Sequence, residues 1–120
     1  MCRKVCYKNK GLFNDLEDLS FRYDNRLGVK DGSRTVYAIE FSNGISKVGV
    51  TKQPVERVKS IANRVRLMGM KVGRIYLSGH TKNCYSIERE TLNKLERVND
   101  TEYVKNTFEN CVKEIIRSMK

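Results

Sequence analysis

Glu88 is the residue whose position most demands a chemical explanation. It stands in NCYSIERETLNKLER, where Cys84, Ile87, Thr91, Leu92, Leu95 and Val98 mark one face of a helix predicted over 83–97. On a helical wheel Glu88 falls between Leu92 and Leu95, near the centre of that face, whereas Glu90 and Glu96 fall outside it. A carboxylate on a face meant for burial is costly unless it is paired or bound to a metal. Two explanations stand: a structural ion pair with a nearby arginine, or a metal-binding or catalytic role.

Basic residues supply the complementary chemistry. Lys47 sits in a short strand-like run, K-V-G, where an apolar residue would be ordinary, and it opens a window rich in positive charge. From Lys47 to Arg74 the chain carries Lys47, Lys52, Arg57, Lys59, Arg64, Arg66, Lys71 and Arg74 against the single acid Glu56, while the whole chain has a net charge of +10. Charge of that sign and concentration suits a polyanion such as nucleic acid, or less often an anionic membrane. The alternative is a solvated face that serves solubility alone.

Those side chains need elements to hold them. TVYAIEFS and ISKVGVT are rich in β-branched and aromatic residues and flank Asn43-Gly44, which predicts a β-hairpin. Pro54, the only proline, opens a helix predicted over 54–67, with Val55, Val58, Ile61, Ala62 and Val65 as its apolar stripe and Arg57 half covered at the border. KVGRIYLSG reads as a third strand, and SGHTKNC, with the lone His80, as a loop before the glutamate helix. A last helix, VKNTFENCVKEIIRSM, carries Val104, Phe108, Cys111, Val112, Ile115 and Met119 on one face. Residues 1–34 read as an arm, with Leu12, Leu16, Leu19 and Tyr23 at helical spacing, that packs on the body. From Thr35 the order is β-β-α-β-α-α: an α+β domain over 35–120 with a small three-stranded antiparallel sheet flanked by helices.

The 120 residues suit one compact domain, and 39% hydrophobic with 32% charged residues is ordinary for a soluble protein. No apolar run approaches a membrane span and the basic N-terminus lacks a signal-peptide core, so a cytoplasmic location without membrane association is expected. The four cysteines form neither a zinc ribbon nor a thioredoxin motif, and Cys84 and Cys111 fall on apolar helix faces, where free packed thiols are expected. A zinc site on Cys2 and Cys6 is the minor alternative.

From Thr35 to Tyr103 the chain resembles the GIY-YIG nuclease superfamily, most closely its small phage and fungal branch that has K-I-G in place of Y-I-G. Thr35-Val36-Tyr37 stands for the first motif and Lys47-Val48-Gly49 for the second, with Thr51 next and Arg57 eight residues past the glycine. Ile87-Glu88 matches the family's glutamate position, and Thr101-Glu102-Tyr103 resembles the closing motif of that branch. Thr35 replaces a glycine, and the segment between Glu88 and the closing motif is shorter than in the family, which leaves Glu90 as an alternative ligand.

The resemblance implies hydrolysis of DNA phosphodiester bonds with one divalent cation, Mg2+ or Mn2+, held by Glu88. It places Tyr37 beside the attacking water as general base or orienting group, its pKa lowered by a nearby cation such as Lys47. It gives Arg57 to the phosphate oxygens, and Gly49 to close approach of backbone or substrate. Lys52, Lys59, Arg64, Arg66, Lys71 and Arg74 would line the nucleic acid. A second expectation is a catalytically inactive domain of this kind that holds nucleic acid or a nucleoprotein partner, for example a phage inhibitor of a host defence system.

Overall fold

The computed structural model describes residues 9–24 and 32–120. Its centre is the expected hairpin of β2 (Arg34–Phe41) and β3 (Ser46–Thr51). The Phe41 N–H donates to the Ile45 carbonyl at 3.0 Å and the Gly44 N–H to the Phe41 carbonyl at 3.1 Å, closing a three-residue loop. Gly44 takes a φ of +88°, the left-handed conformation such a loop needs at its last position.

The helix α2 (Pro54–Arg66) follows and lays Val55, Val58, Ile61 and Val65 on the sheet. Then come β4 (Val72–Thr81) and α3 (Cys84–Asn93). β4 is longer than expected and includes His80, paired with Thr35, so His80 lies in a strand and not in a loop. α3 stops at Asn93, short of the expected end, because the chain turns back on itself. Asn99 and Asp100 have φ values of 50° and 59°, and the Thr101 N–H donates to the Val98 carbonyl at 3.0 Å. Two positive φ angles in succession make a tight reversal that asparagine and aspartate tolerate better than most residues.

That reversal delivers β5 (Tyr103–Val104), which pairs antiparallel with β3. Val104 therefore belongs to a strand, and α4 (Phe108–Ser118) begins four residues later, with the Thr107 hydroxyl accepting from the Asn110 N–H at 3.2 Å. At the other end, Leu12 lies in β1 (Gly11–Phe13), paired with β4, and among the described residues of the arm the helical part is α1 (Leu16–Arg22). Among the described residues the sheet thus has five antiparallel strands in the order β1-β4-β2-β3-β5, and not three. The three expected strands are its middle.

Apolar residues cover both faces. Phe13, Leu19, Tyr37, Ile39, Phe41, Val58, Ile61, Ile75 and Leu77 form one cluster beneath α1 and α2. Val36, Ala38, Val48, Ile87, Leu92, Val104, Phe108, Cys111 and Ile115 form the other beneath α3 and α4. β2 alternates strictly between them, which is why it is buried on both sides. Cys84 and Cys111 are free and buried, as expected; Cys2 and Cys6 lie outside the described residues. No helix among the described residues is long and apolar enough to cross a membrane.

Candidate active site and basic face

The hairpin register sets Tyr37 opposite Gly49 and Ile39 opposite Lys47, so Tyr37, Lys47 and Gly49 share the face toward α2. A Cβ on Gly49 would lie 2.5 Å from Tyr37 Cζ and closer still to the hydroxyl oxygen. The space beside Gly49 is filled by the Tyr37 ring, not left for backbone or substrate. The glycine is what lets a full-sized phenol lie flat across its partner strand.

Tyr37 is only 1% exposed, and burial, reinforced by the nearby Glu102 carboxylate, pushes its pKa well above the ordinary phenol value despite the opposing charge of Arg57. The shift is opposite to the one expected from a cation beside it. The Lys47 ammonium is engaged by other groups: Nζ lies 2.7 Å from Glu102 Oε1 and 4.7 Å from the Tyr103 ring centroid. Lys47 itself is 7% exposed, an ammonium taken out of water and held by one carboxylate and one aromatic face.

Glu102 reaches that place because β5 pairs with β3: Lys47 is opposite Tyr103, and the Val48 N–H donates to the Glu102 carbonyl at 3.1 Å. Beside it lies Glu88, projected from α3. Burial, then a hydrogen bond with Glu102 and repulsion from its charge, push the Glu88 carboxyl up to about 7. Burial also opposes ionisation of Glu102, but hydrogen bonds from Lys47 and Glu88 outweigh it and hold that carboxyl below the usual range. The two carboxyls titrate as a pair, with ionisation harder at Glu88 and easier at Glu102.

The ion-pair explanation for Glu88 is not realised. Among the described residues Glu88 makes no ion pair, and Arg97, the arginine whose charge it feels, donates instead to the carbonyls of Thr101 and Asp100 at 2.8 Å each. Glu88 Oε2 is buried with no hydrogen-bond partner. Glu90 is exposed, in agreement with the wheel.

An orphaned carboxylate oxygen beside a second carboxylate suits a hard divalent cation. No group of three or more His, Cys, Asp or Glu able to hold a metal occurs among the described residues. A cation here would rest on one or two carboxylates and water, the mode Mg2+ favours.

Arg57, on the first turn of α2, is exposed and not half covered, yet close enough to act on both Tyr37 and Glu102. Lys52, Lys59, Arg64, Arg66 and Lys71 are exposed as well, and none makes an ion pair with a described residue. Arg74 differs from them. Its guanidinium holds Glu40 at 2.7 Å and Glu109 at 2.8 Å and lies 4.9 Å from the Phe108 ring centroid, so its donors face protein. It also borders a cavity of about 500 Å³ with Leu12, Phe108, Val112 and Ile116, away from Tyr37, Lys47 and Glu88.

Sequence reasoning brought Tyr37, Lys47, Arg57 and Glu88 into one region. It missed Glu102 as a participant, although the residue was visible in the closing motif, and the Asn99-Asp100 turn that delivers it carried a readable signal. Comparison of the chain with family models, curated proteins and solved structures returned no match.

Proposed function

We propose that the protein is a GIY-YIG-type, metal-dependent endonuclease that hydrolyses DNA phosphodiester bonds in the cytoplasm, the host's if the chain is phage-encoded. The observation that carries this reading is the Glu88 carboxyl, with a buried unpartnered oxygen, next to the Glu102–Lys47 pair and in the electrostatic neighbourhood of Tyr37 and Arg57. Glu88 would hold Mg2+ or Mn2+, which supplies charge neutralisation at the scissile phosphate and the leaving oxygen.

The raised Tyr37 pKa favours a protonated phenol that orients the attacking water over a phenolate that removes its proton. Arg57, exposed and carrying a planar fork of donors, would bind the phosphate oxygens as negative charge builds on them. Lys52, Lys59, Arg64, Arg66 and Lys71 would follow the DNA backbone. Their contribution is charge, so affinity should fall steeply with added salt as counterion release loses its driving force.

Incubating supercoiled plasmid with the protein in Mg2+ or Mn2+ tests the reading. Nicked or linear product is expected from wild type, with losses of about 100-fold or more for Glu88→Ala and Arg57→Ala. Intact plasmid across metals and substrates would end it.

A second reading, binding without cleavage, is favoured by one observation: Lys47 is already occupied by Glu102. In that case the exposed cations hold nucleic acid or a nucleoprotein, as an inhibitor of a defence system would, and salt-sensitive binding persists without product. A salt-independent interaction would indicate a protein partner.

A further inference from the structure

Glu102 has no place in the set of residues that the sequence assigns to the site, yet it is paired with Lys47 and acts electrostatically on both Glu88 and Tyr37. It accepts a hydrogen bond from Lys47 Nζ at 2.7 Å, and its carboxylate lies near enough to that of Glu88, whose Oε2 is buried without a partner, for the two to affect each other's ionisation. Its backbone is fixed by the Val48 N–H, so the carboxylate is carried by the sheet itself and not by a free loop.

Resting on the endonuclease reading of this site, we infer that Glu102 is a second carboxylate for the divalent cation beside Glu88, and that the Lys47 ammonium competes with the cation for it. An ammonium and a divalent cation seek the same carboxylate oxygens. With Lys47 on Glu102, the pair of acids is half neutralised and binds a cation weakly. The Tyr103 ring, 4.7 Å from Nζ in the paired state, offers the ammonium a second favourable contact, and once Lys47 releases Glu102 its donors are free for an anion.

Cation and phosphate are therefore linked through one side chain. An anion that draws Lys47 off Glu102 strengthens the cation site, and by reciprocity the cation strengthens anion binding. In this scheme Lys47 exchanges a carboxylate of its own chain for the phosphate of the substrate.

The test is Mn2+ binding by the purified full chain, followed by the electron paramagnetic resonance signal of free Mn2+, with no DNA present. Glu102→Gln is expected to weaken binding about tenfold or more, a loss of the size seen when metal-site partners are removed. Glu88→Gln should weaken it at least as much, while Lys47→Met should tighten it several-fold. Circular dichroism and thermal melting establish that each variant is folded. If Lys47→Met does not fold, sulfate added to wild type takes its place: it occupies the ammonium and should tighten Mn2+ binding.

Wild-type affinity in Glu102→Gln, or no Mn2+ binding by wild type at millimolar metal, overturns the inference. An unchanged affinity in folded Lys47→Met, or in sulfate, overturns the competition. The two claims separate cleanly. Plasmid cleavage together with wild-type Mn2+ affinity in Glu102→Gln leaves the endonuclease standing without this inference; a Glu102-dependent Mn2+ site without cleavage does the reverse.

Discussion

Two regions of this molecule are built from the same parts. In one, Arg74 stands between Glu40 and Glu109 with the Phe108 ring beside it; in the other, Lys47 stands beside Glu102 and Glu88 with the Tyr103 ring beneath it. Each has one cation, two carboxylates and one aromatic face.

Their outcomes differ because the cations differ. The Arg74 fork donates to both Glu40 oxygens at 2.9 and 2.7 Å and still reaches Glu109, so both acids are held below the usual carboxylate range. The Lys47 ammonium pairs with Glu102 alone, and Glu88 is left with its pKa raised and one oxygen unpartnered. A satisfied cluster ties β2, β4 and α4 together; an unsatisfied one is poised to take a ligand.

The widest separation between the two should appear in activity. Glu88→Gln should reduce cleavage by about 100-fold or more while leaving the fold intact, whereas Glu40→Gln should leave cleavage unchanged in the same plasmid assay. Equal losses in both variants would erase the distinction.

Stability should split the opposite way. In chelator-treated protein, Glu88→Gln should unfold at the same or a higher denaturant concentration than wild type, since it removes an acid that burial disfavours. Glu40→Gln should cost up to about 1 kcal/mol, as expected for a partly exposed ion pair within a network. Gly49→Ala serves as a marker of strain at the site: the methyl meets the Tyr37 ring, and a loss of about 1–3 kcal/mol is expected from overpacking. A folded Gly49→Ala of wild-type stability would show that the ring can move aside.

The comparison also extends to the pH dependence of unfolding without metal. The pKa of Glu88 is raised in the folded state to about 7, above an unfolded value of about 4.3, so its contribution is fully present below the unfolded pKa. That contribution is lost as pH rises toward and through 7. Glu40 and Glu109 are depressed, so theirs is present above the unfolded pKa and lost as pH falls through the lower folded values. Stability curves of Glu88→Gln and Glu40→Gln against wild type should therefore diverge on opposite sides of about pH 4.3.

Much of this was legible in the sequence, and the omissions share a cause. The hairpin, α2 and the inward aspect of Glu88 follow from local periodicity and from Asn43-Gly44 and Pro54, signals that act over a few residues. β1 and β5 span three and two residues, too short for alternation to register, and they form because β4 and β3 offer unpaired edges far away in the chain. The apolar heptad-like run that starts at Val104 extended α4 on paper, yet Val104 is better buried as a strand residue beside β3. Gly49 was readable as a special position, but that Tyr37 requires it depends on cross-strand register. The raised Tyr37 pKa likewise depends on how deeply the folded sheet buries the phenol and, after that, on Glu102 lying near it.

β5 offers a last consequence. The strand that carries Glu102 into place is two residues long at the rim of the sheet, while β2, which carries Tyr37, is enclosed between two layers. Rim segments held by few hydrogen bonds open far more often than the body they rest on. Because Val104 is fully buried in the core beneath α3 and α4, release of β5 would take away half of the acid pair and loosen that edge of the core with it. Amide hydrogen exchange should register this as faster exchange at Val48, whose N–H is held by Glu102, than at the interior amides of β2.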